Sequence, residues 1–360
     1  MNLLFYVPQM AAYGGIERHV CGLAAAAAAQ GHTVRLLTTS NSLGAELRRE
    51  LDHPLIRFRE LAHARGEAGP CAKAFWLLRE LLRSRDRRWD VVYTNGQSGF
   101  SRLVWCAAGA NTRVVHHHHN AADHPEQATW SRTFRRVLRR APQLVGCSRA
   151  TCTALNAAVG RDDAVFLPYL AACPVDAPQI VERAPDTTLR FGFCGRLIPE
   201  KGIDAIVALS REPSLADIGW HIHGAGDAYP PARFADLPRL VYHGAYRSTT
   251  EHARALLALD AHVLFSTHNE GMPLGLIEAM SAGLPWIATD RGGTRELATS
   301  AADSIVAPAA AGVAELAAGV RVLADRILAG ATSRRRQRAH YDERFAPPVV
   351  ARRWLEFFQN

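Results

Sequence analysis

Short apolar runs alternate with longer amphipathic stretches along the whole chain, and glycine turns fall between them. Leu3–Val7 carries no charge and has the length of a buried strand. Gly14-Gly15 then opens an amphipathic stretch that runs to about Gln30, where Gly31 supplies a helix stop. Thr33–Thr38 predicts the next strand, and Val91–Thr94, Arg113–His117 and Gln143–Cys147 predict further ones. Residues 171–188, rich in Pro, Ala and Asp, break the pattern as a linker would. It then restarts. Leu189–Cys194, Gly219–His223, Val241–His243, Ala261–Phe265 and Leu284–Ala288 read as strands, and Lys201–Ser210 as a helix. Pro347–Phe358 closes the chain as a helix with Val349, Val350, Trp354 and Phe358 apolar. Strands alternating with helices imply parallel sheet built from βαβ units. The expected class is α/β, with two Rossmann-like, doubly wound domains at 1–170 and 189–344.

Composition supports that class. A chain of 360 residues, 48% hydrophobic and 21% charged, has room for two domains with full cores. It holds no uncharged apolar run of the roughly 18 residues that a membrane span needs. Met1–Val7 lacks the basic region and cleavage site of a signal peptide, so it reads as a first strand. Seven cysteines without a Cys-x-x-Cys spacing fit free thiols in a reducing cytoplasm and argue against a metal site. The net charge of +8 is concentrated early: residues 1–170 carry 22 Lys and Arg against 13 Asp and Glu. That half is expected to face something anionic, a lipid surface or lipid diphosphate before nucleic acid, since no nucleic-acid recognition motif accompanies the charge.

The densest chemistry lies in Glu270-Gly271-Met272-Pro273-Leu274-Gly275-Leu276-Ile277-Glu278. A strand precedes it, and a helix is expected to start near Leu276. The N–H groups of Leu274, Gly275 and Leu276 would then lack intrahelical acceptors and suit a phosphate. Glu270 and Glu278 would accept hydrogen bonds from hydroxyls beside it. Phosphate plus hydroxyls describes a nucleotide sugar. Arg196 and Lys201 bracket another turn, after Gly195. A guanidinium fork and an ammonium point charge there would hold a diphosphate and stabilise the charge of a departing one. Glycine turns at Gly14-Gly15, Gly195, Gly224/Gly226 and Gly292-Gly293 fall at strand carboxyl ends, where doubly wound sheets bind ligands.

Residues 116–119 are four consecutive histidines, followed by Asn120. Strand alternation should send two rings each way, and a ring at the strand end could reach a sugar hydroxyl or phosphate. His124 is the only nearby partner, too little for a metal cluster. Two arginine-rich segments with apolar residues, 75–85 and 134–140, have the character of interfacial helices. No Gly-x-Ser-x-Gly or Walker loop occurs, and the Gly-x-Gly at 224–226 lacks the third glycine of a dinucleotide fingerprint.

Together these segments resemble glycosyltransferase family 4, a retaining group with the GT-B fold and an E-x7-E signature. The resemblance spans nearly the whole chain. Residues 13–18 are similar to the family's first glycine loop, which implies Gly14 and Gly15 against the donor phosphates. Phe193–Gly202 resembles the segment whose Arg and Lys, here Arg196 and Lys201, grip the diphosphate. The match implies Glu270 on the transferred sugar and Glu278 on the ribose. It puts Met272, Pro273, Leu274, Gly275 and Leu276 along the donor, and Tyr246 and Arg247 beside the nucleobase. His119 resembles the family histidine near the sugar C6 hydroxyl, with His118 as the fallback; His118 and Asn120 would face the acceptor. One departure is Pro168-Tyr169-Leu170-Ala171, where the family often has Asn-Gly-Val-Asp.

The resemblance implies two domains facing across a cleft, with residues 345–360 crossing back to the first. It implies retaining sugar transfer from a nucleoside-diphosphate sugar, with no cofactor or metal. The basic first half favours a glycan or polyprenyl-diphosphate-linked acceptor in polysaccharide or lipopolysaccharide assembly. The expected location is the cytoplasm, with a peripheral position on the inner face of the plasma membrane as a further expectation. An epimerase or hydrolase of the same fold, and a catalytically silent sugar-nucleotide-binding subunit, are the alternatives.

Overall fold

The computed structural model describes residues 1–11, 14–40, 42–61, 69–84, 86–182 and 188–360. Tyr13 of the first glycine loop, Arg85 and residues 183–187 of the linker stretch lie outside the described residues. The chain divides into two units, Met1–Ala171 with Pro347–Asn360, and Ala172–Ala346.

The first unit holds strands β1 (Asn2–Val7), β2 (Thr33–Thr38), β3 (Ile56–Glu60), β4 (Val91–Asn95), β5 (Arg113–His118), β6 (Gln143–Gly146) and β7 (Val165–Phe166). They form one sheet in the order β3-β2-β1-β4-β5-β6-β7, every pair parallel. The order reverses between β1 and β4. Its helices are α1 (Gly15–Ala29), α2 (Ala45–Glu50), α3 (Pro70–Leu82), α4 (Ser101–Trp105), α5 (His124–Thr129), α6 (Arg132–Arg140) and α7 (Arg149–Val159). The central strands β1 and β4 are buried along nearly their whole length, which is why they appear in the sequence as unbroken apolar runs. Edge strand β3, Ile-Arg-Phe-Arg-Glu, was not expected. Only Ile56 is buried there, and the exposed arginines hide the strand signal while blunting the sheet edge.

The second unit holds β8 (Leu189–Cys194), β9 (Ile218–His223), β10 (Leu240–Gly244), β11 (Ala261–Leu264), β12 (Trp286–Thr289) and β13 (Ser304–Ala307). Its sheet order is β10-β9-β8-β11-β12-β13, again all parallel, with the reversal between β8 and β11. Its helices are α8 (Ile203–Leu209), α9 (Thr249–Leu257), α10 (Leu274–Ser281), α11 (Val313–Leu328) and α12 (Arg334–Arg344). The stretch read as a linker is not free chain over its described part. Val175 and Ile180 are buried in the second unit's core with Cys194, Leu256 and Leu284, because both are apolar and reach the helices packed there.

The last helix, α13 (Pro347–Gln359), belongs to the first unit. Val350, Trp354, Leu355 and Phe358 join the core cluster that includes Phe5, Val20 and Tyr93. The Trp354 indole N–H donates to the Pro168 carbonyl at 2.9 Å, so the ring is both packed and satisfied. Trp354→Ala removes this ring from a site with no solvent access and should cost about 3–5 kcal/mol. Urea unfolding followed by circular dichroism checks it. A change below about 1 kcal/mol would mean that α13 is not an integral part of this core.

Candidate active site

In the second unit, the loops after β8 and β11 leave the sheet where the strand order reverses, the place where a doubly wound fold opens a crevice. Ser266 follows β11 and Glu270 closes the loop. Glu270 is buried, 6% exposed, and three groups address its carboxylate. Lys201 Nζ donates to Oε1 at 2.6 Å, Ser266 Oγ donates at 2.5 Å, and His268 Nε2 stands 3.8 Å away. Ser266 is anchored in turn, its carbonyl accepting from Thr289 Oγ1 at 2.7 Å.

Two glycines make this approach possible. Gly202 has φ +72°, and a Cβ there would lie 2.0 Å from the Phe265 carbonyl oxygen. Only glycine lets the turn carrying Lys201 close onto the end of β11. Gly292, with φ +56°, pairs with Glu270 as an isolated parallel bridge, and its Cβ would lie 2.0 Å from the Glu270 oxygen. The Gly293 N–H then donates to the same oxygen at 2.9 Å. The backbone of Glu270 is therefore held from the β12 side while its side chain is held from the β8 side.

Helix α10 begins at Leu274, two residues before the expected start, and no side chain caps it. The Leu276 N–H is not free, because it donates to the Pro273 carbonyl at 3.1 Å. That leaves Leu274 and Gly275, whose N–H groups find no backbone acceptor among the described residues. The earlier start also moves Glu278 from the first turn into the second. Met272 and Leu276 are both buried. Glu278 Oε2 lies 3.9 Å from His252 Nε2, and the His252 ring stacks on Tyr246 at 4.2 Å and 5°. The two residues read as ribose and nucleobase contacts are thus joined through a histidine of α9. Arg247 is exposed, and its N–H donates to Glu251 Oε2 at 2.6 Å.

Arg196 is not drawn into the Lys201–Glu270 pair. It is exposed and forms no ion pair among the described residues. Its loop is nonetheless fixed, with the Gly195 N–H donating to His223 O and the Leu197 N–H to Ala225 O, both at 2.9 Å.

In the first unit, Gly14 and Gly15 sit at the start of α1. A Cβ on Gly14 would lie 2.2 Å from Glu17 Oε2, while Glu17 Oε1 accepts from the Ala11 N–H at 2.8 Å. The four histidines alternate across the sheet. His116 and His118 point toward Phe134, and His118 also meets Trp130. His117 and His119 point toward His19 and Tyr169. His118, named as the fallback for His119, is buried on the opposite face of the sheet, its Nε2 3.1 Å from Glu126 Oε1. Asn120, exposed, donates to the same carboxylate at 3.2 Å. Burial pushes the Glu126 carboxyl up, but His118, the Ala122 N–H and Asn120 outweigh it and hold it at about 2. His119 stacks on Tyr169 at 5.1 Å and 20°, with both ring nitrogens buried and unpartnered. Burial pushes His19 and His116 down to about 3 and takes His117 and His119 far below the usual imidazole range. These rings are neutral at pH 7. Among the described residues no cluster of His, Cys, Asp or Glu has the geometry to hold a metal ion.

The sequence reading missed Ser266, His268, His252 and Thr289 in the second unit and His19, Tyr93 and Tyr169 around the histidines. Ser266 and His268 lie within four residues of Glu270, so proximity could have flagged them. The others reach their neighbours, each within its own unit, only through the folded sheet.

Two family descriptions cover most of this architecture. Residues 14–169 match a glycosyl transferase 4-like domain, and residues 188–326 match glycosyl transferases group 1. The chain belongs to the glycosyltransferases of family 4 type. A GDP-mannose-dependent alpha-mannosyltransferase of Mycobacterium tuberculosis is 32% identical over 126 residues, 35% of this chain and 32% of that protein. The exopolysaccharide phosphotransferase SCO2592 of Streptomyces coelicolor is 29% identical over 53% of this chain and 21% of its own length. The chain thus spans about a third or less of the curated relatives it matches. Among solved structures, Anabaena Alr3699/HepE in complex with UDP superposes with a TM-score of 0.77 at 18% identity, covering 100% of both chains. The lipopolysaccharide outer core galactosyltransferase WaaB gives 0.73 at 16% identity, covering 99% of this chain and 98% of that one. At these identities the structural likeness establishes the fold, GT-B with two Rossmann-like parallel-sheet domains.

Proposed function

We propose that the protein transfers a sugar from a nucleoside-diphosphate sugar to a glycan or lipid-linked acceptor, with retention at the anomeric carbon and without a metal ion. One observation carries this reading: a buried carboxylate, Glu270, paired with Lys201 beside the uncapped start of α10. The ammonium and the Leu274 and Gly275 N–H groups form an electropositive end for a diphosphate. Glu270 offers its carboxylate to the sugar hydroxyls, already oriented by Ser266. Glu278, linked through His252 to Tyr246, supports the nucleoside. When the glycosidic bond breaks, Lys201 and the helix start stabilise the charge left on the phosphate, and Arg196 adds a guanidinium from its exposed loop. That work is what a metal does in other transferases. Retention follows if the departing phosphate takes the acceptor proton on the face where it leaves. His119, neutral and at the end of β5, contributes a ring packed on Tyr169 and not a cation.

The relatives and neighbours point to GDP-mannose in one case and UDP in another, so both bases belong in the test. The full chain should be melted with GDP, UDP, GDP-mannose and UDP-glucose. A matched ligand at a hundredfold its Kd stabilises by about 2.7 kcal/mol, a shift of several degrees. Transfer with the matched donor should survive EDTA, and NMR of the product should show the donor's anomeric configuration. A panel in which no nucleoside diphosphate moves the melting temperature would overturn the reading, and donor turnover without acceptor would favour an epimerase or hydrolase. The basic first half and the absence, among the described residues, of a helix able to cross a membrane support a peripheral position on an anionic membrane face.

A further inference from the structure

Eight large hydrophobic side chains are exposed among the described residues, and three of them, Phe75, Leu78 and Leu82, lie on α3. Their spacing of three and four residues puts them in one stripe along the helix. Phe75 is 69% exposed, on a helix whose other face is well packed through Trp76 and Leu77. With Arg79 and Arg83 the stripe lines a depression of about 320 Å³.

The charge beside this stripe is unbalanced. Glu80, fully buried, accepts from Arg35 at 2.6 Å and Arg83 at 2.9 Å, with Arg59 at 3.5 Å and Arg79 at 4.0 Å. One carboxylate thus serves four guanidiniums, and the side chains of Arg59, Arg79 and Arg83 remain about half exposed. Glu80 holds the arginines in place without neutralising them. An apolar ridge flanked by fixed, exposed guanidiniums matches one surface, the boundary between anionic headgroups and acyl chains. A second copy of this face is disfavoured, because pairing would bring two arginine clusters together. Helix α6, the other basic segment, is different: Phe134, Val137 and Leu138 are all buried.

We infer that the α3 face docks the protein on an anionic phospholipid bilayer, with Phe75, Leu78 and Leu82 entering the acyl boundary and Arg59, Arg79 and Arg83 on lipid phosphates. This deepens the membrane-side part of the proposed function by assigning the face. Vesicle binding does not use the donor site, so a failure here leaves the nucleoside-diphosphate melting shift intact and separable. The test is co-sedimentation of the full chain with vesicles of phosphatidylcholine alone and of phosphatidylcholine with phosphatidylglycerol. The wild type should sediment only with the anionic vesicles, and less at high salt. Arg79→Gln should weaken binding about fivefold. The triple variant Phe75→Ser/Leu78→Ser/Leu82→Ser should weaken it at least about a hundredfold. All three side chains are exposed, so its melting temperature should match the wild type, and Arg79→Gln gives an independent reading at a single surface charge. Wild-type protein left in the supernatant, equal binding to neutral vesicles, or undiminished binding by the folded triple variant would each overturn the inference. So would a dimer in analytical ultracentrifugation that the triple variant dissociates.

Discussion

Lys201→Ala should lower sugar transfer by about 10²–10³, the cost of one preorganised donor to developing negative charge. Lys201 Nζ lies 2.6 Å from Glu270 Oε1, with side-chain exposures of 21% and 8%, so the pair is largely withdrawn from water. Removing the ammonium has two consequences. On the proposed mechanism the leaving phosphate loses the Lys201 ammonium, and among the described residues Glu270 keeps the Ser266 hydroxyl at 2.5 Å and the more distant His268. Leaving that charge under-compensated should also cost about 1–3 kcal/mol of stability. Glu270→Ala alone should be similarly inactive. Since the two residues act as a unit, the double variant should be little worse than either single one. Steady-state kinetics with the matched donor measures all three. A Lys201→Ala enzyme that keeps more than about a tenth of wild-type turnover would remove Lys201 from the chemistry.

Acid should destabilise the protein well before its carboxylates titrate. His19 and His116, held near 3, and His117 and His119, well below the usual imidazole range, are neutral in the fold. In the unfolded chain each titrates near 6.5. Folded values below the unfolded one mean that the unfolded chain binds more protons as pH falls through that range. Their contribution is intact above about pH 6.5 and is lost progressively below it. Between pH 7.5 and 5.5 each ring accounts for on the order of 1 kcal/mol, and the four together for several kcal/mol. That is comparable with the whole stability of many domains. His262, near 3, and His221 and His223, near 4, extend the same sign to the second unit. Glu126, near 2, has the depressed carboxylate's sign and enters only below its ordinary value of 4.5. Urea midpoints at the two pH values test this, and His117→Phe should flatten the dependence. An unchanged midpoint would mean that the rings are not held neutral.

Much of this was readable before folding was considered. The central strands announced themselves because both faces of a parallel sheet are covered, leaving no polar alternation. The E-x7-E segment was readable because strand, turn and helix follow one another directly. Its details were less so: Glu278 sits a turn deeper because Pro273 takes the position before the helix. Edge strands β3 and β13 escaped notice because only part of each is buried. Val175 and Ile180, inside the stretch read as a linker, pack into the second unit's core, because composition alone does not say which apolar residues find a core.

The order of residues by itself determined the α/β class, the two-fold repetition of its pattern, and the chemical types gathered at Arg196, Lys201, Glu270 and Glu278. Those follow from local periodicity and from short-range spacing. Only the tertiary structure decided that Lys201 meets Glu270 while Arg196 stays in solvent, that His252 joins Tyr246 to Glu278, and that α3 and not α6 leaves its apolar stripe uncovered. Each of those outcomes depends on which strands lie side by side and which helix face they cover. That is settled by packing between segments far apart in the chain, which local pattern does not encode.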